Sequence, residues 1–157
     1  MLVCDNLHKR FGGFAALKGI SFEIPKGAIF GFIGPNGAGK TTTIRIVAGL
    51  SLPTMGDAFV DGLSIVRKPD EARRRVGYMP DFFGAYDNTT VWEYLDFFAA
   101  AYGLTRGLRH RRIEDAIALT DLGRVRDVDV DVLSRGMKQR VSLARTLLHD
   151  PAFLLLD

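Results

Sequence analysis

The sequence is poor in cysteine, in long apolar runs and in net charge, and each shortage excludes a class of protein. The single cysteine, Cys4, excludes an internal disulfide and a cysteine-rich zinc site. No apolar run approaches the roughly 18 residues that a membrane-spanning helix needs, and residues 1–10 lack the apolar segment of a secretory signal. The net charge of +3 is too small to indicate a nucleic-acid partner. These shortages predict a cytoplasmic globular domain.

Apolar patterning and turn residues predict alternating strands and helices along the 157 residues. Strands are expected at 2–7, 16–24, 28–33, 57–60, 65–66, 76–79 and 153–156. Helices are expected at 39–48, 69–75, 91–102, 109–122 and 134–149. The third strand, an apolar run bounded by glycine, is typical of a parallel strand buried on both faces. Thr90 and Glu93 have the spacing of a capping box at the start of the third helix.

A phosphate-binding loop is predicted directly after the apolar run 28–33. Residues 34–41 match the pattern Gly-x-x-x-x-Gly-Lys-Ser/Thr, in which glycines turn successive backbone N–H groups toward an anion. Lys40 supplies a positive charge for the β- and γ-phosphates, and the Thr41 hydroxyl is an oxygen ligand suited to Mg²⁺. Thr42 can donate a hydrogen bond on the α-phosphate side. The nucleotide-binding residues predicted here are Gly34, Pro35, Asn36, Gly37, Ala38, Gly39, Lys40, Thr41 and Thr42.

A second motif opens the last predicted helix, 94 residues after the loop lysine. It consists of Leu133, Ser134, Arg135, Gly136 and Met137. An Asp-Pro pair and an apolar strand that ends in Asp157 follow it. With the phosphate loop upstream, the whole chain resembles the nucleotide-binding domain of the ABC ATPases. The family's usual signature is Leu-Ser-Gly-Gly-Gln, so Arg135 and Met137 depart from it.

The resemblance implies an α/β P-loop NTPase fold with an N-terminal antiparallel β portion and a helical subdomain. Residues 1–83 and 150–157 would form the nucleotide-binding core and the β portion, and residues 84–149 the helical subdomain with the signature helix. The family's sheet includes a further strand, carrying a histidine, that is not found within these residues. We therefore expect the sheet to be incomplete and the chain to be the N-terminal part of a longer protein.

Further site residues follow from the resemblance alone. Phe11 occupies the position of the aromatic that stacks on adenine, and Asp157 that of the Walker B aspartate, which holds Mg²⁺ through water. Asp81 stands where the family usually has the glutamine that touches Mg²⁺, which makes Thr41, Asp81 and Asp157 the implied metal-binding set. The general-base glutamate is expected just after Asp157, so we expect residues 1–157 alone to bind nucleotide without turnover.

The function implied is ATP binding and hydrolysis by the subunit that powers an ABC membrane transporter, with ATP and Mg²⁺ as cofactors. Two such domains would close head to tail, so that the signature of one contacts the ATP of the other. A homodimer and transmembrane permease subunits on separate chains are the expected partners. We expect the exporter branch, and a location on the cytoplasmic face of the membrane through the permease.

Three alternatives remain open on the sequence. The first is a soluble ABC ATPase that acts on ribosomes or DNA, although the 94-residue spacing leaves no room for a coiled-coil or zinc insertion. The second is a P-loop kinase or GTPase outside the ABC family, which would leave the signature unexplained. The third is nucleotide binding without enzymatic activity. The basic clusters at 73–75 and 109–112 are read as solvated helix faces, so no direct nucleic-acid contact is expected.

Overall fold

A computed structural model describes residues 1–81, 84 and 88–157, which form two compact units. The first unit contains residues 1–78, 152–155 and 157, and the second contains residues 79–151 and 156. Among the described residues, no helix has both the length and the apolar character needed to cross a bilayer. The functional division predicted at 83/84 and 149/150 stays a prediction.

The first unit contains a four-stranded antiparallel sheet with the strand order β2-β1-β3-β4. Its strands are β1 (Leu2–Phe11), β2 (Phe14–Ile24), β3 (Met55–Val60) and β4 (Leu63–Ser64). The central strand β1 pairs with β2 through a tight hairpin in which Phe11 faces Phe14. The predicted N-terminal β portion is thereby confirmed, although its last strand lies at 63–64 rather than at 65–66.

The remaining elements of the first unit place the phosphate loop and Asp157. They are the helices α1 (Lys40–Val47) and α2 (Pro69–Arg73) and the strands β5 (Val76–Met79) and β6 (Phe153–Leu156). The last residue of each of these two strands belongs to the second unit. Strands β5 and β6 pair with each other in a separate two-stranded sheet. Ile46 and Val47 of α1 are buried in the same apolar core as Leu2 and Leu7 of β1. This core fixes the position of the helix that follows the phosphate loop.

The prediction of a buried strand at 28–33 is wrong. These residues have no strand hydrogen bonding, and the Ile29 and Ile33 side chains are 103% and 98% exposed. A parallel strand needs backbone partners on its edges, and no described strand pairs with this segment. Phe30 and Phe32 instead contact Phe22, with ring centroids 5.6 Å and 5.2 Å from it. The described strands form two separate sheets, which confirms that the sheet is incomplete but not the expected strand at 28–33.

The predicted final buried strand is formed as β6 but is only partly buried. Leu155 packs into the core, whereas Leu154 and Leu156 are 41% and 60% exposed. The alternation is that of a strand covered on one face. The prediction of burial on both faces is therefore wrong, because only the face that carries Leu155 packs against the core.

The second unit is helical and has its own apolar core. Its helices are α3 (Val91–Ala101), α4 (Arg106–Leu119) and α5 (Arg135–Leu147), with short 3₁₀ turns at Gly123–Val125 and Val130–Val132. The predicted capping box is confirmed, since the Thr90 side chain accepts from the Glu93 backbone N–H and the Glu93 side chain accepts from the Thr90 backbone N–H. Helix α4 begins and ends three residues earlier than predicted, because the extended Thr105 precedes its first turn.

Candidate functional site

The backbone of the phosphate loop depends on glycine at two positions. Gly37 and Gly39 have φ angles of +82° and +93°, a region that residues with a side chain rarely adopt. A Cβ atom on Gly39 would also lie 2.5 Å from Leu17 Cδ2 and 2.9 Å from the Ala16 carbonyl oxygen. Helix α1 starts at the next residue, without an acidic side chain in its first turn and without a side-chain cap. Its N-terminal N–H groups therefore remain available to an anion.

Lys40 is held against the loop that precedes it. Its Nζ donates hydrogen bonds to the carbonyl oxygens of Gly34 at 2.6 Å and Pro35 at 2.8 Å. Both acceptors are neutral, and no carboxylate forms an ion pair with Lys40 in the described part of the chain. The ammonium charge thus lies within the loop and is not compensated by an acidic side chain, as a site for a phosphate anion requires.

An open cavity of about 260 Å³ lies in front of the loop. It is lined by Phe11, Phe14, Ala16, Asn36, Gly37, Gly39, Lys40, Thr41 and Thr42. Phe11 and Phe14 are 55% and 64% exposed, so the hairpin presents two aromatic rings at one end of the cavity. The Lys9 ammonium lies 5.0 Å from the centre of the Phe11 ring. The cavity therefore joins an aromatic end to a cationic, N–H-rich end.

The Asp157 carboxylate receives a hydroxyl donor on each of its oxygens. Thr41 Oγ1 donates to Oδ1 at 3.0 Å, and the Tyr78 hydroxyl donates to Oδ2 at 3.2 Å. Burial and the negative charge of Asp157 raise the pKa of Tyr78, while the Arg45 guanidinium opposes the rise. The phenol therefore stays protonated, and able to donate, throughout the neutral range. This arrangement places the last residue of the chain against the first turn of α1.

The oxygen atoms at this point suit a hard divalent cation. Thr41 and Asp157 provide a hydroxyl and a carboxylate 3.0 Å apart, the donor types that Mg²⁺ prefers. Across residues 1–81, 84 and 88–157 there is no cluster of three or more histidine, cysteine or acidic side chains. A dedicated all-protein metal cage is thus not seen among them. The donor set fits an ion that takes its other ligands from water and phosphate, as Mg²⁺ commonly does.

The signature residues belong to the second unit, at the start of α5. Ser134 caps this helix, since its hydroxyl oxygen accepts a hydrogen bond from the Met137 N–H at 3.3 Å. Leu133 is buried in the helical core, whereas Ser134, Arg135 and Gly136 are exposed. A Cβ at Gly136 would meet nothing within 4 Å. The motif is therefore presented at the surface of its unit on a fixed helix end.

Asp81 is exposed and lies two residues after β5, also in the second unit. The residues after it, 82 and 83, lie outside the described ones. The phosphate loop, Phe11 and Asp157 are brought together in the first unit. The participation of Asp81 and of the signature in the same site stays a prediction.

Sequence reasoning missed three residues of this site. Phe14 and Ala16 line the cavity, and the Gly12-Gly13 turn, which folds β2 back on β1, was the signal that could have indicated them. Tyr78 contacts Asp157 across 79 positions of sequence, and no local pattern indicates such a contact.

Comparison with known proteins supports the resemblance to the ABC ATPases. A family model described as ABC transporter matches residues 17–157. The chain is 40% identical over 157 residues to the probable multidrug ABC transporter ATP-binding protein YbhF of Escherichia coli. It is 35% identical over the same length to the linearmycin resistance ATP-binding protein LnrL of Bacillus subtilis. These alignments cover all of this chain but only 27% and 50% of the relatives' own lengths.

A solved structure shows the same fold. It is the dimeric post-hydrolysis state of the ATP-binding cassette MJ0796 bound to ADP and Pi, at a TM-score of 0.85 and 26% identity. The match covers 100% of this chain and 73% of that chain, and it confirms the predicted P-loop NTPase fold. Since the family model spans residues 17–157 and the relatives align over the full sequence, the chain belongs to the ABC transporter family.

Proposed function

We propose that the protein containing this chain binds ATP with Mg²⁺ and hydrolyses it to power a membrane transporter. The observation that carries the proposal is the cavity of about 260 Å³ that joins two exposed aromatic rings to the phosphate loop. ATP carries matching groups, since it has an aromatic adenine ring and a chain of anionic phosphates. The family assignment supports the same ligand.

The roles of the cavity residues follow from their chemistry. Phe11 stacks on the adenine ring, a contact that tolerates any base and is worth about 1–3 kcal/mol. The loop N–H groups and the N-terminus of α1 bind the phosphate oxygens. Lys40 exchanges its bonds to the Gly34 and Pro35 carbonyls for bonds to the β- and γ-phosphates. Thr42, which also lines the cavity, donates on the α-phosphate side.

Thr41 and Asp157 are the residues proposed to hold Mg²⁺, Asp157 through water, with Asp81 as a third member. Bound Mg²⁺ would supply positive charge that stabilises the negative charge developing on the phosphates during hydrolysis. The chain's own contribution is to hold the Thr41 hydroxyl and the Asp157 carboxylate side by side.

A homodimer completes the site in this proposal. Ser134 and the Gly136 N–H contact the γ-phosphate of ATP on the second copy, and their exposure leaves them accessible to it. Support comes from MJ0796, which is described as a dimer with ADP and Pi. Arg135 and Met137 stand in place of glycine and glutamine at this surface, so the closing contact carries an extra positive charge.

ATP-driven closure of the dimer is proposed to move transmembrane permease subunits on separate chains. The names of the relatives, a probable multidrug transporter subunit and a linearmycin resistance subunit, support the exporter branch. The protein would then act on the cytoplasmic face of the membrane, bound to its permease.

The proposal is tested by phosphate release from Mg·ATP by the full-length protein and its Asp157→Asn variant. Loss of the carboxylate should abolish turnover, because the amide carries no negative charge for the metal site. Asp70→Asn is the matched control, since Asp70 is an exposed carboxylate of the same unit with an ion pair to Arg73. Equal turnover by wild type and Asp157→Asn would contradict the proposal.

A further inference from the structure

Tyr78 makes a contact that neither the sequence motifs nor the family match assigns. Its ring is half-buried and packs against the apolar core of the first unit. Its hydroxyl reaches out of that core and donates to Asp157 Oδ2 at 3.2 Å. The residue thus connects the apolar core of the first unit to the proposed metal-binding carboxylate.

The two donors on Asp157 come from different elements. Thr41 stands on α1 and bonds to Oδ1, whereas Tyr78 stands on β5 and bonds to Oδ2. A carboxylate with one hydrogen bond can still rotate about its Cβ–Cγ bond. A second donor on the other oxygen fixes the plane of the group, and fixed carboxylates bind metals better because their hydrogen-bonded partners orient them.

Helix α1 contacts both Asp157 and Tyr78. Arg45 lies one turn after Thr41 on α1, and its guanidinium interacts with the Tyr78 hydroxyl, lowering the pKa of Tyr78 where Asp157 raises it. Thr41 has its own proposed contact with the metal and lines the cavity, whereas Tyr78 is not among the cavity's lining residues. Its only described hydrogen-bond acceptor is Asp157.

We propose that Tyr78 is a positioning residue that fixes the Asp157 carboxylate for Mg²⁺ and so sets the metal dependence of ATP binding. This inference rests on the proposed function. Outer partners of metal ligands typically change metal affinity about 10–100-fold when they are removed. Because Asp157 is exposed and is expected to act through water, we expect about tenfold, the lower end of that range.

The test is ATP binding to the full-length protein and its Tyr78→Phe variant, titrated with Mg²⁺ and repeated in EDTA. Tyr78→Phe keeps the ring in the core and removes only the hydroxyl. We expect half-maximal enhancement of binding at about tenfold higher Mg²⁺, with unchanged ATP affinity in EDTA. Tyr94→Phe is the control for loss of a tyrosine hydroxyl elsewhere, since that hydroxyl donates to the Gly84 carbonyl at 3.2 Å and accepts from Arg145 at 3.1 Å in the second unit. It should leave the Mg²⁺ titration unchanged.

A double-mutant cycle separates positioning from a general loss of stability. In an Asp157→Asn background, Tyr78→Phe should have no further effect on the Mg²⁺ titration. Unaltered Mg²⁺ dependence of the single variant, or an equal shift in both backgrounds, would overturn the inference. Thermal unfolding of the same samples shows whether each variant is folded. If the wild type itself shows no response to Mg²⁺, the proposed function fails and not the role of Tyr78 alone.

Discussion

Replacing Gly39 by alanine should destabilise the first unit far more than the same change at Gly37. Both residues lie in the phosphate loop with a positive φ, +93° and +82°. They differ in surroundings. A Cβ at Gly39 would lie 2.5 Å from Leu17 Cδ2 and 2.9 Å from the Ala16 carbonyl oxygen, whereas one at Gly37 would meet nothing within 4 Å. The pair therefore separates backbone strain from a packing clash.

The magnitudes follow from these two terms. Alanine in the left-handed region costs about 1–2 kcal/mol at either position. At Gly39 the clash adds about 1–3 kcal/mol, as is typical of overpacking, because Leu17 is buried and the second atom is backbone. Gly39→Ala should thus lower the free energy of unfolding by about 2–5 kcal/mol and Gly37→Ala by about 1–2 kcal/mol.

Urea unfolding of the full-length protein and both variants, followed by circular dichroism, measures the difference. The variants should differ in midpoint while the slope of free energy against urea stays the same. Equal destabilisation by the two substitutions would refute the close packing of Gly39 against β2, and with it the placement of the loop.

Four further outcomes are expected. Phe11→Ala should weaken ATP binding by about 1–3 kcal/mol through lost stacking, while Phe11→Trp largely preserves it; normal binding by Phe11→Ala would assign the ring to another role. Asp81→Gln should leave ATP affinity nearly unchanged but alter the Mg²⁺ dependence of hydrolysis, and identical Mg²⁺ curves would remove Asp81 from the metal site. Burial raises the pKa of Cys4 to about 12 from 9.0, so a maleimide should label it at pH 8 only after unfolding. The free energy of unfolding should fall as the pH rises above 9.0, where the unfolded thiol ionises and the folded one does not; a Cys4→Ala variant that keeps the same fall would assign it to other groups.

The elements that local chemistry specifies could be predicted from the sequence. Glycine spacing and the lysine identified the phosphate loop, and the Thr90–Glu93 pair identified the start of α3, because these signals act within one turn of chain. The signature helix was likewise indicated by its own cap, Ser134.

What the sequence could not give depends on contacts distant along the chain. Residues 28–33 have the composition of a buried strand, yet strand formation depends on partners that sequence pattern does not reveal. The contact of Tyr78 with Asp157 joins residues 79 positions apart, and only the paired strands β5 and β6 bring them together. Phe14 reaches the cavity because of the hairpin register, not because of its neighbours in sequence.

The central claim is that this loop binds ATP, and a titration of the full-length protein with ATP tests it most directly. Lys40→Ala should abolish binding, because it removes the side-chain charge that the loop carbonyls of Gly34 and Pro35 hold in place. Lys18→Ala, an exposed lysine on β2 in the same unit, is the matched control for loss of one positive charge and should bind as the wild type does. Unchanged affinity in Lys40→Ala, or an equal loss in both variants, would contradict the account.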